Sequence, residues 1–211
     1  VVGYQNNAAG GPADESGKII YGAANTANRE SSLALGNQNK AINKSASAIG
    51  VGNTASGEAS IAMGNSSKAL ADYGVAIGSG AEATANNAVA LGRLSKATGT
   101  SAVALGVNNK AQAQDTTAVG SSNTIDTSAT QASAFGRENT INRPGAFAAG
   151  YKNTTNGDRN VAVGSENTTT GEDSIGIGTK VIAGTGKTIA IGSVASDAGK
   201  YIQTIARGND T

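Results

Sequence analysis

The 211-residue chain carries 16 Lys+Arg against 15 Asp+Glu, and neither histidine nor cysteine. Without imidazole or thiol, disulfides, thiolate or imidazole metal sites, Ser/His triads and Cys/His pairs are excluded, and no metal, cofactor or catalytic residue is expected. A net charge of +1 gives no overall field for nucleic acid or an anionic membrane, so partners are sought in local patches.

Residues 1–21 read as an irregular start, with Gly10-Gly11-Pro12 and the polar run from Gln5 to Lys18 forming a loop or insertion that is also a candidate recognition feature. From there one phrase returns, closed each time by a glycine: Gly22, Gly36, Gly50, Gly64, Gly78, Gly92, Gly106, Gly120, Gly136, Gly150, Gly164, Gly178, Gly192 and Gly208. Every step is 14 residues except Gly120 to Gly136 and Gly192 to Gly208, which are 16. Large apolar residues stand one and three places before the glycine, with alanine between them, as in Val89-Ala90-Leu91 and Val103-Ala104-Leu105. This alternation has the period of a strand. Five places after the glycine comes a second small or branched column, from Ala41 through Ala111 to Ile125, Ile141, Thr155, Thr169 and Ala183, which predicts a second short strand on the same interior. Two short strands and two tight turns make one coil of an all-β parallel solenoid. A helix is excluded, because the glycines and polar runs such as Asn37-Gln38-Asn39 would fall inside it.

The bulkier columns are expected to fill the interior: Leu35, Ile49, Ile61, Met63, Val75, Ile77, Val89, Leu91, Val103, Leu105, Phe135, Val161, Val163, Ile177, Ile189 and Ile191. Alanine would then face outward, its small size letting identical chains approach. Residues 22–192 form the repeat body. The first 16-residue step is expected to enlarge one turn without changing the alternation, near Asn142-Arg143-Pro144-Gly145, and residues 193–211 to form a lengthened final coil.

The repeats Ser47-Ala48-Ile49-Gly50, Ser60-Ile61-Ala62-Met63-Gly64, Asn87-Ala88-Val89-Ala90-Leu91-Gly92 and Ser101-Ala102-Val103-Ala104-Leu105-Gly106 resemble the head repeats of the YadA-like trimeric autotransporter adhesins. The resemblance spans about Ile20 to Gly192. It implies a left-handed parallel β-roll assembled as a side-by-side homotrimer, projecting from the outer membrane of a Gram-negative bacterium through an anchor outside this segment. It also implies a virulence role in attachment to fibronectin, collagen, laminin or a host receptor. Gly176 in place of alanine, and Ala149 in place of a large residue, depart from the pattern.

Four surface residues are candidate ligand contacts: Lys96 and Lys110, in a column four places past the glycine, and Tyr151 with Lys152. Glu138, Lys152, Glu166 and Lys180 alternate in sign at 14-residue intervals, which predicts a ladder of ion pairs serving register and solubility. Gly184-Thr185-Gly186-Lys187-Thr188 lacks the leading glycine and following helix of a phosphate loop and reads as a turn. The scattered tyrosines give no stacking surface for nucleic acid. Beside adhesion stands a structural spacer that presents a binding site elsewhere; a polysaccharide-cleaving enzyme and an ice-binding lattice are the weaker readings, since neither a carboxylate groove nor a continuous threonine file is evident.

Overall fold

A computed structural model describes residues 19–184, 186–194 and 201–207. The irregular start, up to residue 18, lies outside the described residues. The chain divides into two compact units, Val1–Asn108 and Asn109–Thr211. In the first, the long strands Ile19–Ala23, Leu33–Asn37, Ser47–Val51, Ile61–Asn65, Val75–Ile77, Val89–Leu91 and Val103–Val107 pair in parallel, each with the equivalent strand one repeat on. Two-residue strands such as Lys40–Ala41, Lys68–Ala69 and Lys96–Ala97 form a second parallel sheet. The second unit repeats the plan, from Thr117–Ser121 to Thr188–Val194 and from Lys110–Ala111 to Ile182–Ala183. Like residues pair with like, as in Val89 with Val103 and Gly150 with Gly164. The fold is therefore an all-β parallel solenoid with 14-residue coils.

The interior is the reverse of the sequence expectation. Alanines of the middle column, among them Ala48, Ala62, Ala90, Ala118, Ala148 and Ala162, are wholly buried, as are Ala55, Ala83 and Ala111 from the facing short strands. Leu35, Ile49, Ile61, Met63, Val75, Ile77, Val89, Leu91, Val103, Leu105, Phe135, Val161, Val163, Ile177, Ile189 and Ile191 are all at least partly exposed, Ile191 reaching 52%. The cause is width. Fourteen residues close a coil so tightly that the facing side chains of its two sheets meet almost at Cβ, and strand alternation then sends the bulky neighbours outward. Larger buried residues enter at Ile125 and Ile141, which pair in register. Where Thr169 enters, Gly176 replaces alanine: a Cβ there would lie 3.0 Å from the Thr169 methyl. Gly176 thus leaves room for the Thr169 methyl, although Ala162 stays in the equivalent place beside Thr155 one coil earlier.

Asparagine occupies a further interior column, three places past the glycine, that the alternation did not disclose. Asn139 Nδ2 donates to Phe135 O at 3.0 Å, to Gly150 O at 3.0 Å and to Asn123 Oδ1 at 2.9 Å. Its own Oδ1 accepts from the backbone N–H and Nδ2 of Asn153, both at 3.0 Å. The same ladder runs through Asn25, Asn39 and Asn53 in the first unit. It adds a second donor to backbone carbonyls at the end of the long strand and supplies an acceptor for the next asparagine's backbone N–H. The repeat glycines belong to this arrangement. A Cβ on Gly136 would lie 2.2 Å from Gly150 O, the carbonyl to which Asn139 donates, so glycine is required for that oxygen to approach.

The first 16-residue step behaves as expected in register, Thr117 pairing with Ser133 and Gly120 with Gly136. Its extra residues lie at Asp126–Gln131 and not at Asn142–Gly145. Asp126 caps the enlarged turn by accepting from the Ser128 backbone N–H and hydroxyl at 3.1 Å. At the other end, Tyr201–Arg207 pairs antiparallel with Thr188–Val194, so residues 193–211 do not add a parallel coil as expected. Gly208 lies outside the described residues.

Asn139→Ala removes a hydrogen bond from each of two backbone carbonyls and leaves the buried Asn153 N–H without its acceptor, and urea unfolding is expected to show a loss of about 2–4 kcal/mol. Ala162→Leu is expected to overfill the coil and cost about 1–3 kcal/mol, while Val161→Thr on the outer face of the same strand shifts dilute-solution stability by no more than about 0.5 kcal/mol.

Candidate functional site

With the interior closed mainly by alanine and asparagine, the charged and aromatic side chains among the described residues lie on the surface of the coils. Each coil has two outer faces, since its two sheets enclose one interior. The long-strand face carries the aliphatic columns, and the short-strand face carries the polar column that includes Lys96 and Lys110.

On the short-strand face of the first unit, Glu82 stands between two lysines. Its carboxylate lies 2.9 Å from Lys96 Nζ and 3.3 Å from Lys68 Nζ. The hydrogen bond from Lys96 holds the Glu82 carboxyl below its ordinary range, helped by Lys68 and the charges of both, against a smaller opposing effect of burial. Lys96 is therefore engaged within its own sheet and is not the free cation that the sequence suggested. Lys110, in the second unit, is exposed.

Tyr151 and Lys152 are brought together with a residue the sequence reading missed. Tyr151 pairs in register with Arg137, whose guanidinium carbon lies 4.5 Å from the tyrosine ring centroid, and Lys152 Nζ lies 5.2 Å from the same centroid. Hydrogen bonding to Tyr151 raises the Lys152 ammonium above its ordinary value, and attraction to Glu138 adds to it. Glu138 itself lies 3.7 Å from Lys152 and 3.5 Å from Arg137. Two cations, one aromatic ring and one carboxylate thus share a turn, an arrangement suited to an anionic group or an aromatic side chain. The missed signal was available: Arg137 and Tyr151 stand at the same place in successive repeats.

The predicted ladder closes at Glu138 with Lys152 and at Glu166 with Lys180, the latter at 4.0 Å; Glu166 acts on Lys152 only through longer-range attraction. All four residues sit at left-handed turn positions, φ 52–58°. A stronger pair went unpredicted. Arg159 grips Asp173 in two hydrogen bonds, of 2.6 and 2.9 Å, one coil apart. The Arg159 bond is the main cause of the lowered Asp173 carboxyl. After the glycine-rich decoy comes the strand Thr188–Val194 and not a helix, in keeping with a turn.

A family model described as the YadA head domain repeat (2 copies) matches residues 41–67, 55–81, 69–95 and 97–123. Residues 41–95 and 97–123 carry YadA-like head repeats. Three successive matches begin 14 residues apart, so the repeat recognised by the family is the coil seen in the structure. The YadA-like family is one of trimeric autotransporter adhesins, and the matched repeats point to an adhesin-like function in that general sense. No curated protein matches the chain.

Glu82→Gln isolates the lysine clamp. Because the folded carboxyl titrates below its ordinary value of 4.5, its contribution is present in full above that value and is lost as pH falls through the lowered one. Denaturant melts are expected to show the wild-type protein ahead by about 1 kcal/mol at neutral pH, with the difference gone once the folded carboxyl is protonated.

Proposed function

We propose that this head domain is the binding end of a surface adhesin, assembled side by side as a homotrimer and attaching a Gram-negative bacterium to host matrix proteins such as fibronectin, collagen or laminin, or to a host receptor. An anchor outside this sequence holds it to the outer membrane. The observation that carries the reading is the outward placement of the aliphatic columns on repeats of an adhesin family. The coil interior is already complete without them, and a continuous apolar face in water marks a surface that is covered by another chain.

Sister chains cover that face in the proposed trimer, and their burial supplies stability that a narrow alanine interior lacks. The short-strand face and the turns remain for the host partner. There the repeated polar columns act by multivalency, each contact being weak and many being made together. The Arg137, Tyr151, Lys152 cluster and Lys110 are the contacts proposed for that partner, and Lys96 contributes through its clamp. Binding requires no turnover, and the head acts as an adhesive module without catalysis.

Sedimentation of the folded chain, followed by a salt-varied binding panel on immobilised matrix proteins and host cells, tests the proposal. A trimer that attaches is the expected result. Tyr151→Ala with Lys152→Gln is expected to weaken attachment about tenfold while changing stability by no more than about 1 kcal/mol. An intact trimer that attaches to nothing would instead make the head a spacer.

A further inference from the structure

One coil inverts the outer pattern. In every other described repeat the place before the glycine holds a large side chain, from Tyr21 to Ile191, but in the coil closed by Gly150 it holds Ala149. The same coil puts an aromatic, Phe147, two residues earlier, where the other described repeats have only aliphatic or hydroxyl residues. Phe147 and Ala149 lie on one strand, Phe147–Tyr151, and point to the same outer face. Phe135 and Val163 stand in register on either side of Ala149. Ala149 is therefore the floor of a notch walled by larger side chains. The notch is not closed from within: Phe135 and Phe147 meet at 5.8 Å between centroids, yet Phe135 remains 39% exposed.

We infer that this coil is a register pin between copies of the chain, Phe147 of one copy seating over Ala149 of its neighbour. The inference rests on the homotrimer proposed above and adds which coils face each other. Only a partner with the same 14-residue period can follow this face coil by coil, and another copy has it. In a cyclic assembly, equivalent coils lie at equal height, so the one oversized and the one undersized position of this row meet across the interface. A slip by one coil in either direction would set Phe147 against Phe135 or Val163 and overfill the contact. The uniform aliphatic repeats cannot make that distinction, since each resembles its neighbours.

Sedimentation of the full 211-residue chain over a concentration series, with circular dichroism of each variant in dilute solution, tests the pin. Ala149→Phe is expected to leave the unfolding of the separate chain unchanged, because Phe135 occupies the same place one coil earlier. It is expected to raise the concentration at which the assembly dissociates by about tenfold. Adding Phe147→Ala exchanges the two sizes and is expected to restore dissociation to within about threefold of wild type. Wild-type assembly by the Ala149→Phe variant overturns the pin, as does a double variant no better than the single one. A wild-type chain that stays monomeric at every concentration overturns the trimer itself.

Discussion

The separation of the two sheets within a coil governs the rest of the molecule. A chain that must return after 14 residues can place only small side chains between its strands, and alanine from the long strand meets alanine from the short one. That choice removes most of the hydrophobic burial a larger solenoid would have, and alternation then forces the aliphatic residues out. Narrowness inside and greasiness outside are one fact. The side-by-side assembly proposed above follows from it, because an apolar face of this kind favours a cover in water.

Hydrogen bonding compensates for what the small interior lacks. At the turns that carry asparagine, backbone bonds between coils continue on either side, as from Lys152 N–H to Arg137 O and from Thr154 N–H to Asn167 O, and the ladder takes the N–H between them, that of Asn153. Each amide donates to carbonyls of its own and the next coil while accepting from the asparagine beyond, so removing one member takes bonds from two coils at once. Glycine is the partner of this ladder: its missing Cβ is the space into which the next carbonyl points. Serine at Ser67 keeps two of these bonds, to Met63 O and Gly78 O, with a shorter side chain.

The sequence disclosed the coil length, the parallel register, both strand columns and the even insertion, because all of these depend only on which residues recur and at what spacing. It did not disclose which face was inward. Alternation separates Val89 and Leu91 from Ala90 but is symmetric between inside and outside, and size alone favoured the wrong side. The second column held the answer: Ala83, Ala97 and Ala111 had to share an interior with the first, and alanine opposite alanine fits a narrow coil. Among the surface residues, the Tyr151 and Lys152 cluster was legible from adjacency, whereas Arg137 and Asp173 required reading across the 14-residue step. The engagement of Lys96 by Glu82 required the same step.

Variation along the chain is sorted by these constraints. Inside, Gly176 leaves room for the Thr169 methyl, whereas Ile125, Ile141 and Thr155 enter with alanine kept in the middle column. Outside, Phe147 and Ala149 exchange bulk along one strand with no consequence for the interior, since Ala148 between them stays wholly buried. The turns take arginine, tyrosine, lysine and glutamate in the same left-handed or adjoining positions, limited only by charge pairing between neighbouring coils. A repeat of this kind can therefore change its surface chemistry coil by coil while leaving its fold untouched, which is the property a binding head requires: specificity can be written on the outer columns without disturbing the alanine and asparagine that hold them in place.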